Sequence, residues 1–438
     1  MVLILLALAA FRIYKLDPSR LSTSLPAQPS PAPLPMPILV GTRRVNAHNY
    51  PGDDIGTKIN NAAKALGQGG GEITLTSGGL FKVTAIIPSG CVVLLKGGLY
   101  KSVTPGALFL LSDDSALLGD NWDAVLEEST GQATPTGVSP TTGRPLHTIV
   151  QDLAGATLNG SASRGIRIEH VHFRGARKDF QSAFQTVSLG NCRGARAVRN
   201  FFEATRAIAL QVGGAGQMGN YAQDCTLEDN RFVGVATQNI AITNAARVSV
   251  KRNTFERSGQ PGAPGSTCID VEPNVGDRVE DVIIQGNTID CRDTPIDAGG
   301  RKVLNAIAIN NGNGANPWRN IQVLENEILS TIRAGGVGYA GILVRSSVGA
   351  IVARNTLTRC VRGIMVDSGS RSNRIEQNIL RSCASGGTAA IEIQDSSRGN
   401  IVRGNQLVAL PGDGFEEVAG RIWSVPGNVI ENNAGATK

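Results

Sequence analysis

Apolar residues alternate with polar or small ones in a series of short segments along the second half of the chain. "AIALQV", "NIAITN", "CIDVEP", "AIAINN", "GILVRS", "GIMVDS" and "AIEIQD" each carry apolar side chains at every second position, the period of a strand with one buried face. Between them recurs an asparagine with an apolar residue three positions earlier and usually another two positions later, at Asn200, Asn230, Asn253, Asn287, Asn326, Asn355, Asn378, Asn405 and Asn432. The spacings run from 23 to 39 residues, and no helical period intervenes. Two or three short strands per repeat of that length predict a parallel β-solenoid, in which equivalent positions stack about 4.8 Å apart along the axis. The asparagines are then expected at a bend, as an amide ladder that satisfies backbone groups left open by the turn.

Composition agrees with this pattern. Aromatics make up 4% of the 438 residues, hydrophobic residues make up 41%, and there are 53 glycines, so aliphatic side chains must fill the core and the chain must turn often. In "NYPGDDIGTKINNAAKALGQGGGEITLTSG", Asp53 or Asp54 can cap a helix with Ile55, Ile59, Ala62, Ala63 and Leu66 on one face, and Gly67 can stop it. Such a helix would close the open end of the solenoid.

Through the asparagine repeat and this opening module, the chain resembles the right-handed parallel β-helix proteins of the pectate-lyase-like superfamily. The resemblance covers most of the sequence. It implies an all-β, right-handed parallel β-helix with a short N-terminal capping helix, and activities on glycans that range from lyases, hydrolases and epimerases to tailspikes and inactive members. The expected division is a signal peptide or membrane anchor over 1–20, a proline-rich linker over 21–40, the cap and first coils over 41–112 and the repeats over 113–433. The apolar run Val2–Ala10 is too short to span a bilayer, and the "SLPAQPSPAPLPMP" that follows reads as an extended spacer. Together they point to export, to a secreted, periplasmic or cell-surface protein that meets membrane only through the N-terminal segment. The formal charge of +6 is scattered over the chain, which argues against a nucleic-acid partner and is compatible with an anionic polysaccharide.

With the alternating strands in register, Ile269 and Val271 are expected to point inward beside Ile208/Leu210, Ile240/Ile242, Ile307/Ile309, Ile342/Val344, Ile364/Val366 and Ile391/Ile393. Two outward columns result. The first reads Ala209, Ala241, Asp270, Ala308, Leu343, Met365 and Glu392; the second reads Gln211, Thr243, Glu272, Asn310, Arg345, Asp367 and Gln394. One coil alone places an acid in both columns, and the two longest repeats flank it. Insertions in a solenoid become loops over one face, often the binding face. Asp270 and Glu272 are therefore the candidate catalytic pair. Asn310, Arg345, Asp367 and the loop residue Trp318 are candidates for substrate binding, Arg345 through a substrate carboxylate. Loop residues Asp290, Asp293, Asp297 and Arg301 are placed at the edge of the same cleft.

Three functions remain open at this point. A hydrolase would use the two carboxyls as acid and as base or nucleophile, and their spacing fits retention and inversion alike. A polysaccharide lyase would hold calcium with Asp270, Glu272 and loop acids such as Asp293; otherwise no metal or cofactor is expected. A noncatalytic solenoid would bind glycan or act as a spacer. The arginine-bearing segment of the lyases and the paired-aspartate and Gly-His-Gly signatures of the galacturonases are missing, so no catalytic residue carries over by motif. His170 and His172 alternate on a short strand without a third close ligand. The seven cysteines form no CxxC pair; Cys360 and Cys383 occupy equivalent places one coil apart, as a disulfide or as two core thiols.

Overall fold

Each turn of the chain passes through three short strands, and in the computed structural model the strands of successive turns pair in register into three parallel sheets of sixteen, twelve and twelve strands. Within one turn, Ala245–Lys251 belongs to the first (sheet I), Thr254–Glu256 to the second (sheet II) and Thr267–Val271 to the third (sheet III), after which Val279–Gln285 returns to sheet I. The structure describes residues 43–103, 107–127, 147–157, 161–175, 184–214, 221–259, 266–294, 305–330, 340–384, 387–411 and 419–435. The chain divides after Pro37, and every described residue belongs to the unit that begins at Ile38. The expected signal or anchor and the linker lie outside the described residues, as do Asp297 and Arg301.

The corner between sheets I and II explains the asparagine repeat. Before each ladder asparagine the chain takes a left-handed conformation, with φ of 56° at Arg199, 56° at Asp229, 53° at Arg252 and 64° at Gly286. That conformation is unfavourable for most side chains, and the amide that follows offsets the cost. Asn253 Oδ1 accepts from the N–H and the Nδ2 of Asn230, each at 2.9 Å, while its own Nδ2 donates to Leu227 O at 2.9 Å. The same contacts join every coil from Asn200 to Asn405. The last rung corrects the expectation. It is Asn433, whose Oδ1 accepts from Asn405 N at 3.0 Å, whereas Asn432 takes the left-handed slot at φ 52°. Periodicity counted the right element but chose the wrong one of two adjacent asparagines. A second, shorter ladder at the corner between sheets III and I runs through Asn373, Asn400 and Asn428.

Inside the solenoid, Phe173, Phe202, Phe232 and Phe255 of sheet II stack with ring centroids 4.9, 4.8 and 4.9 Å apart. The column continues through Ile289, Ile328, Leu357, Leu380 and Leu407. All of these side chains are buried, each contributing roughly 1.5–3 kcal/mol by leaving water. At the N-terminal end, helix Ile55–Leu66 buries Ile55, Ile59, Ala62, Ala63 and Leu66 as the sequence predicts. Asp54 caps it, with Oδ1 accepting from Gly56 N at 2.9 Å and Thr57 N at 3.3 Å. The same oxygen accepts from Lys82 N and Val83 N of the first coil. Burial alone would raise the Asp54 carboxyl, but the hydrogen bonds from Thr57, Lys82 and Val83 outweigh it and hold the group below its usual range. Gly56 is required here, since a Cβ would lie 1.8 Å from Val83 O.

All seven cysteines are buried and none is joined in a disulfide. Cys360 and Cys383 are thus two core thiols, each facing a carbonyl of its own coil, Thr358 O at 3.8 Å and Arg381 O at 3.6 Å. Among the described residues no helix is long and apolar enough to cross a membrane.

Candidate active site on the third sheet

The strand Thr267–Val271 and its neighbours hold the candidate pair. Ile269 and Val271 face the core in register with Ile240/Ile242 and Ile307/Ile309. The columns continue as expected through Ile342/Val344, Ile364/Val366 and Ile391/Ile393. One coil departs from the expected register. Leu210 and Val212, not Ile208 and Leu210, pair with Ile240 and Ile242, and Gln211 falls opposite Ala241. The strand Ile208–Val212 is displaced by two residues, with Ile208 half-buried and Ala209 in the core. The alternation "AIALQV" contains one extra apolar residue, so its parity alone could not fix which pair belongs inside.

A second correction concerns exposure. The first outward column was expected to face solvent, yet Ala241, Asp270, Ala308, Leu343, Met365 and Glu392 are all buried. Residues of the corner leading from sheet II to sheet III lie over it: Gln238 reaches Asp270, Ala340 packs with Ala308, Leu343 and Met365, and Arg362 covers Glu392. The second column is more open, with Glu272 exposed and Thr243, Asn310, Arg345 and Gln394 half-buried, but Asp367, also expected to face solvent, is buried against Arg345.

The two acids thus meet different surroundings although they sit two residues apart. Asp270 is 6% exposed and receives a hydrogen bond from Gln238 Nε2 at 3.4 Å. Burial, and then the Glu272 carboxylate, push its carboxyl up to about 8, against the opposing pull of the Gln238 amide. Glu272 lies at the surface and accepts from Asn310 Nδ2 at 3.0 Å; Asn310 Oδ1 in turn accepts from Gly312 N at 3.0 Å. Neither acid makes an ion pair with an arginine or lysine among the described residues. The site therefore pairs a buried carboxyl that keeps its proton at neutral pH with a second acid open to solvent, an arrangement suited to proton donation on one side and proton acceptance or nucleophilic attack on the other.

The substrate-binding candidates divide. Asn310 stands beside Glu272. Arg345 and Asp367, one and two coils beyond Asn310, bind each other: Arg345 Nε donates to Asp367 Oδ1 at 3.0 Å and Nη2 to Oδ2 at 2.7 Å. Trp318 begins the sheet I strand Trp318–Leu324, packs against the core and donates from Nε1 to Ser347 Oγ at 3.1 Å. Asp290 forms an ion pair with Arg292 at 2.6 Å. Sequence reasoning missed Gln238, which no periodicity marks because it sits in a corner, and it placed Gln211 in the wrong column. Gln211 Oε1 and Thr243 Oγ1 are buried without a hydrogen-bond partner, Thr243 one coil and Gln211 two coils before the pair.

Among the described residues no three His, Cys, Asp or Glu side chains converge to hold a metal ion. Two carboxyls, one of them buried, fall short of the oxygen-rich cage that calcium takes. His172 lies within 3.1 Å of Glu203 and stacks on Phe201 at 4.4 Å, so its ring is engaged in the outer surface of sheet II.

Comparison with known proteins bears on the fold. Residues 304–434 match the family model described as right handed beta helix region. Among solved structures, PfbA, a surface adhesin of Streptococcus pneumoniae, is similar with a TM-score of 0.54 and 11% identity, over 81% of this chain and 93% of that one. The A-module of the Azotobacter vinelandii mannuronan C-5 epimerase AlgE6 is similar with a TM-score of 0.53 and 13% identity, over 89% and 98%. The catalytic unit of a GH87 alpha-1,3-glucanase from Streptomyces thermodiastaticus follows at 0.50 and 14%, over 93% and 71%. No curated protein matches the sequence. The chain is a right-handed parallel β-helix. At these identities the likeness is one of architecture, and chemistry must be argued from the site.

Proposed function

We propose that this chain is an exported carbohydrate-active β-helix that cleaves a glycosidic bond of a polysaccharide with Asp270 and Glu272. The observation that carries the reading is the buried Asp270 carboxyl, pushed up to about 8 beside the exposed Glu272 carboxylate. In this scheme Asp270 gives its proton to the glycosidic oxygen as the bond from the anomeric carbon breaks. Glu272 either takes a proton from the attacking water or attacks the anomeric carbon itself. Asn310 holds Glu272 in place, and Gln238 holds Asp270. Two of the similar folds are named as an epimerase of mannuronan and an alpha-1,3-glucanase, which supports a glycan as the partner.

The test is a panel of neutral and anionic polysaccharides, assayed with the intact chain and with Asp270→Asn and Glu272→Gln. New reducing ends that vanish in both variants support hydrolysis. A calcium-dependent rise in unsaturated uronate absorbance would replace hydrolysis with elimination. Retained glycan binding without either product would make the protein a noncatalytic binder.

A further inference from the structure

Cys192 and Cys225 face each other across two neighbouring coils. Cys192 opens the short sheet I strand Cys192–Arg193, and Cys225 lies within the next coil's strand Ala222–Glu228. Arg193 pairs with Gln223 and Arg196 with Thr226, so the two cysteines are staggered along the sheet. The chain bends beside both, with φ of 71° at Gly194 and 57° at Asp224. Both side chains lie in the core, 0% and 1% exposed, and their Sγ atoms stand 3.7 Å apart. That is contact distance for two sulfurs. A disulfide holds them at about 2.05 Å, a further closure that rotation of the two side chains can supply.

The thiol hydrogens have their own acceptors, Leu189 O at 3.7 Å from Cys192 Sγ and Gln223 O at 3.5 Å from Cys225 Sγ, and the sulfurs still touch. Cys360 and Cys383 differ, since each faces a carbonyl of its own coil. Cys268 differs too, dividing its contacts between Cys291 and Ser258. The neighbouring thiol and burial hold Cys192 well above its ordinary value. The folded pair therefore carries almost no thiolate, the species that exchanges with disulfides. Its redox state is set while the chain folds, before the coils close over it.

We propose that Cys192 and Cys225 are a modification site, a disulfide that forms as the solenoid closes in an oxidising compartment and ties two neighbouring coils together. The co-reactant is a small-molecule disulfide such as oxidised glutathione. The thiolate of one cysteine attacks a sulfur of that disulfide, forming a mixed disulfide and expelling one half as a thiolate. The thiolate of the other cysteine then attacks the protein sulfur of the mixed disulfide and expels the second half. Two cysteines are oxidised, one small disulfide is reduced to two thiols, and the protons of the cysteines end on those thiols. The new bond joins positions 33 residues apart and so restricts the unfolded chain. A protein exported as proposed folds where such oxidants prevail. The inference is independent of the reading of Asp270.

The full chain is unfolded in denaturant with reductant and refolded in a buffer of oxidised and reduced glutathione. It is then alkylated without reduction and cut into peptides for mass spectrometry. The expected map joins the peptide bearing Cys192 to the peptide bearing Cys225. The linked form should have an unfolding equilibrium constant about a hundredfold smaller than the reduced form. A chain folded first under reductant, and given the same oxidant afterwards, should stay unlinked. Alkylation of its Cys192 and Cys225 should be at least about a hundredfold slower than in the unfolded chain. Recovery of both cysteines as free thiols after oxidative refolding would overturn the proposal, and so would their attachment to other cysteines.

Discussion

Asp270 and Glu392 stand in the same column of sheet III, four coils apart through Ala308, Leu343 and Met365, and both are buried. The fold treats them in opposite ways. Glu392 is surrounded by donors: Arg362 Nε at 2.8 Å, Ala389 N at 2.7 Å and Gln394 Nε2 at 2.5 Å. Among the described residues, Asp270 receives one long hydrogen bond, from Gln238, and the charge of a second acid, Glu272, acts on it. A buried carboxylate is costly unless paired, and a carboxyl left unpaired keeps its proton instead. Among the described residues, the corner that supplies Arg362 to one coil supplies only the Gln238 amide to the other. Glu392 is thereby a structural ion pair, and Asp270 is a poised acid.

The largest effect that would break this contrast is on rate. Asp270→Asn should lower glycan cleavage by about a thousandfold, the range for loss of a general acid, while Glu392→Gln leaves kcat/KM within about twofold. Initial rates of reducing-end formation on one responsive polysaccharide decide it; equal losses in the two variants would erase the distinction. Stability should show the reverse order. Arg362→Met strands the Glu392 charge in the interior and should cost about 3–5 kcal/mol, read from the shift of the denaturant midpoint. Gln238→Ala, which removes one hydrogen bond from a protonated group, should cost about 1 kcal/mol.

The pH dependence follows from the same contrast. The folded-state value of Asp270, about 8, lies above that of an aspartate in the unfolded chain, so the folded protein binds this proton more tightly. The stability it confers is fully present below about pH 4 and is lost as pH rises toward 8. Asp270→Asn removes that loss. Relative to the intact chain it should be more stable at pH 9 than at pH 4 by an amount on the order of 5 kcal/mol. Activity that depends on the protonated carboxyl should fall as pH passes through about 8. Parallel stability curves for the two proteins across this range would show that Asp270 carries no such shift.

Much of the fold was legible because a solenoid repeats its rules. Alternation in "CIDVEP" and "AIAINN" fixed the inward residues of sheet III, and the opening helix was readable down to its cap. What escaped were positions where two readings share one pattern: Asn432 beside Asn433, and Ile208 beside Leu210 in a strand with one apolar residue too many. The site was half legible. The coincidence of Asp270 and Glu272 on one coil is a sequence fact, but burial of the first column is not, because it depends on corner residues such as Gln238, Ala340 and Arg362 that carry no period. For the same reason Arg345 and Asp367, one row apart, read as separate candidates and proved to be partners.

The asparagine ladder extends the comparison to neutral groups, where satisfaction rather than charge is at stake. Asn287 in mid-solenoid accepts from Asn253 N and Nδ2 at 2.9 and 3.0 Å, and donates to Val250 O and Asn326 Oδ1 at 3.0 and 2.8 Å. It is fully buried, so Asn287→Ala leaves the Asn253 N–H and the Val250 carbonyl without water to replace the lost partner, and should cost about 2 kcal/mol. Asn433 makes the equivalent bonds to Asn405 N and Val402 O but at the C-terminal coil, where it is only half-buried. There solvent can take over, and Asn433→Ala should cost about 0.5–1 kcal/mol. Denaturant midpoints of the two variants measure the difference. A graded loss would show that burial without a partner governs cost in this solenoid. That is the rule by which Asp270, lacking the partners given to Glu392, is singled out; equal losses would remove the physical ground for separating the two acids.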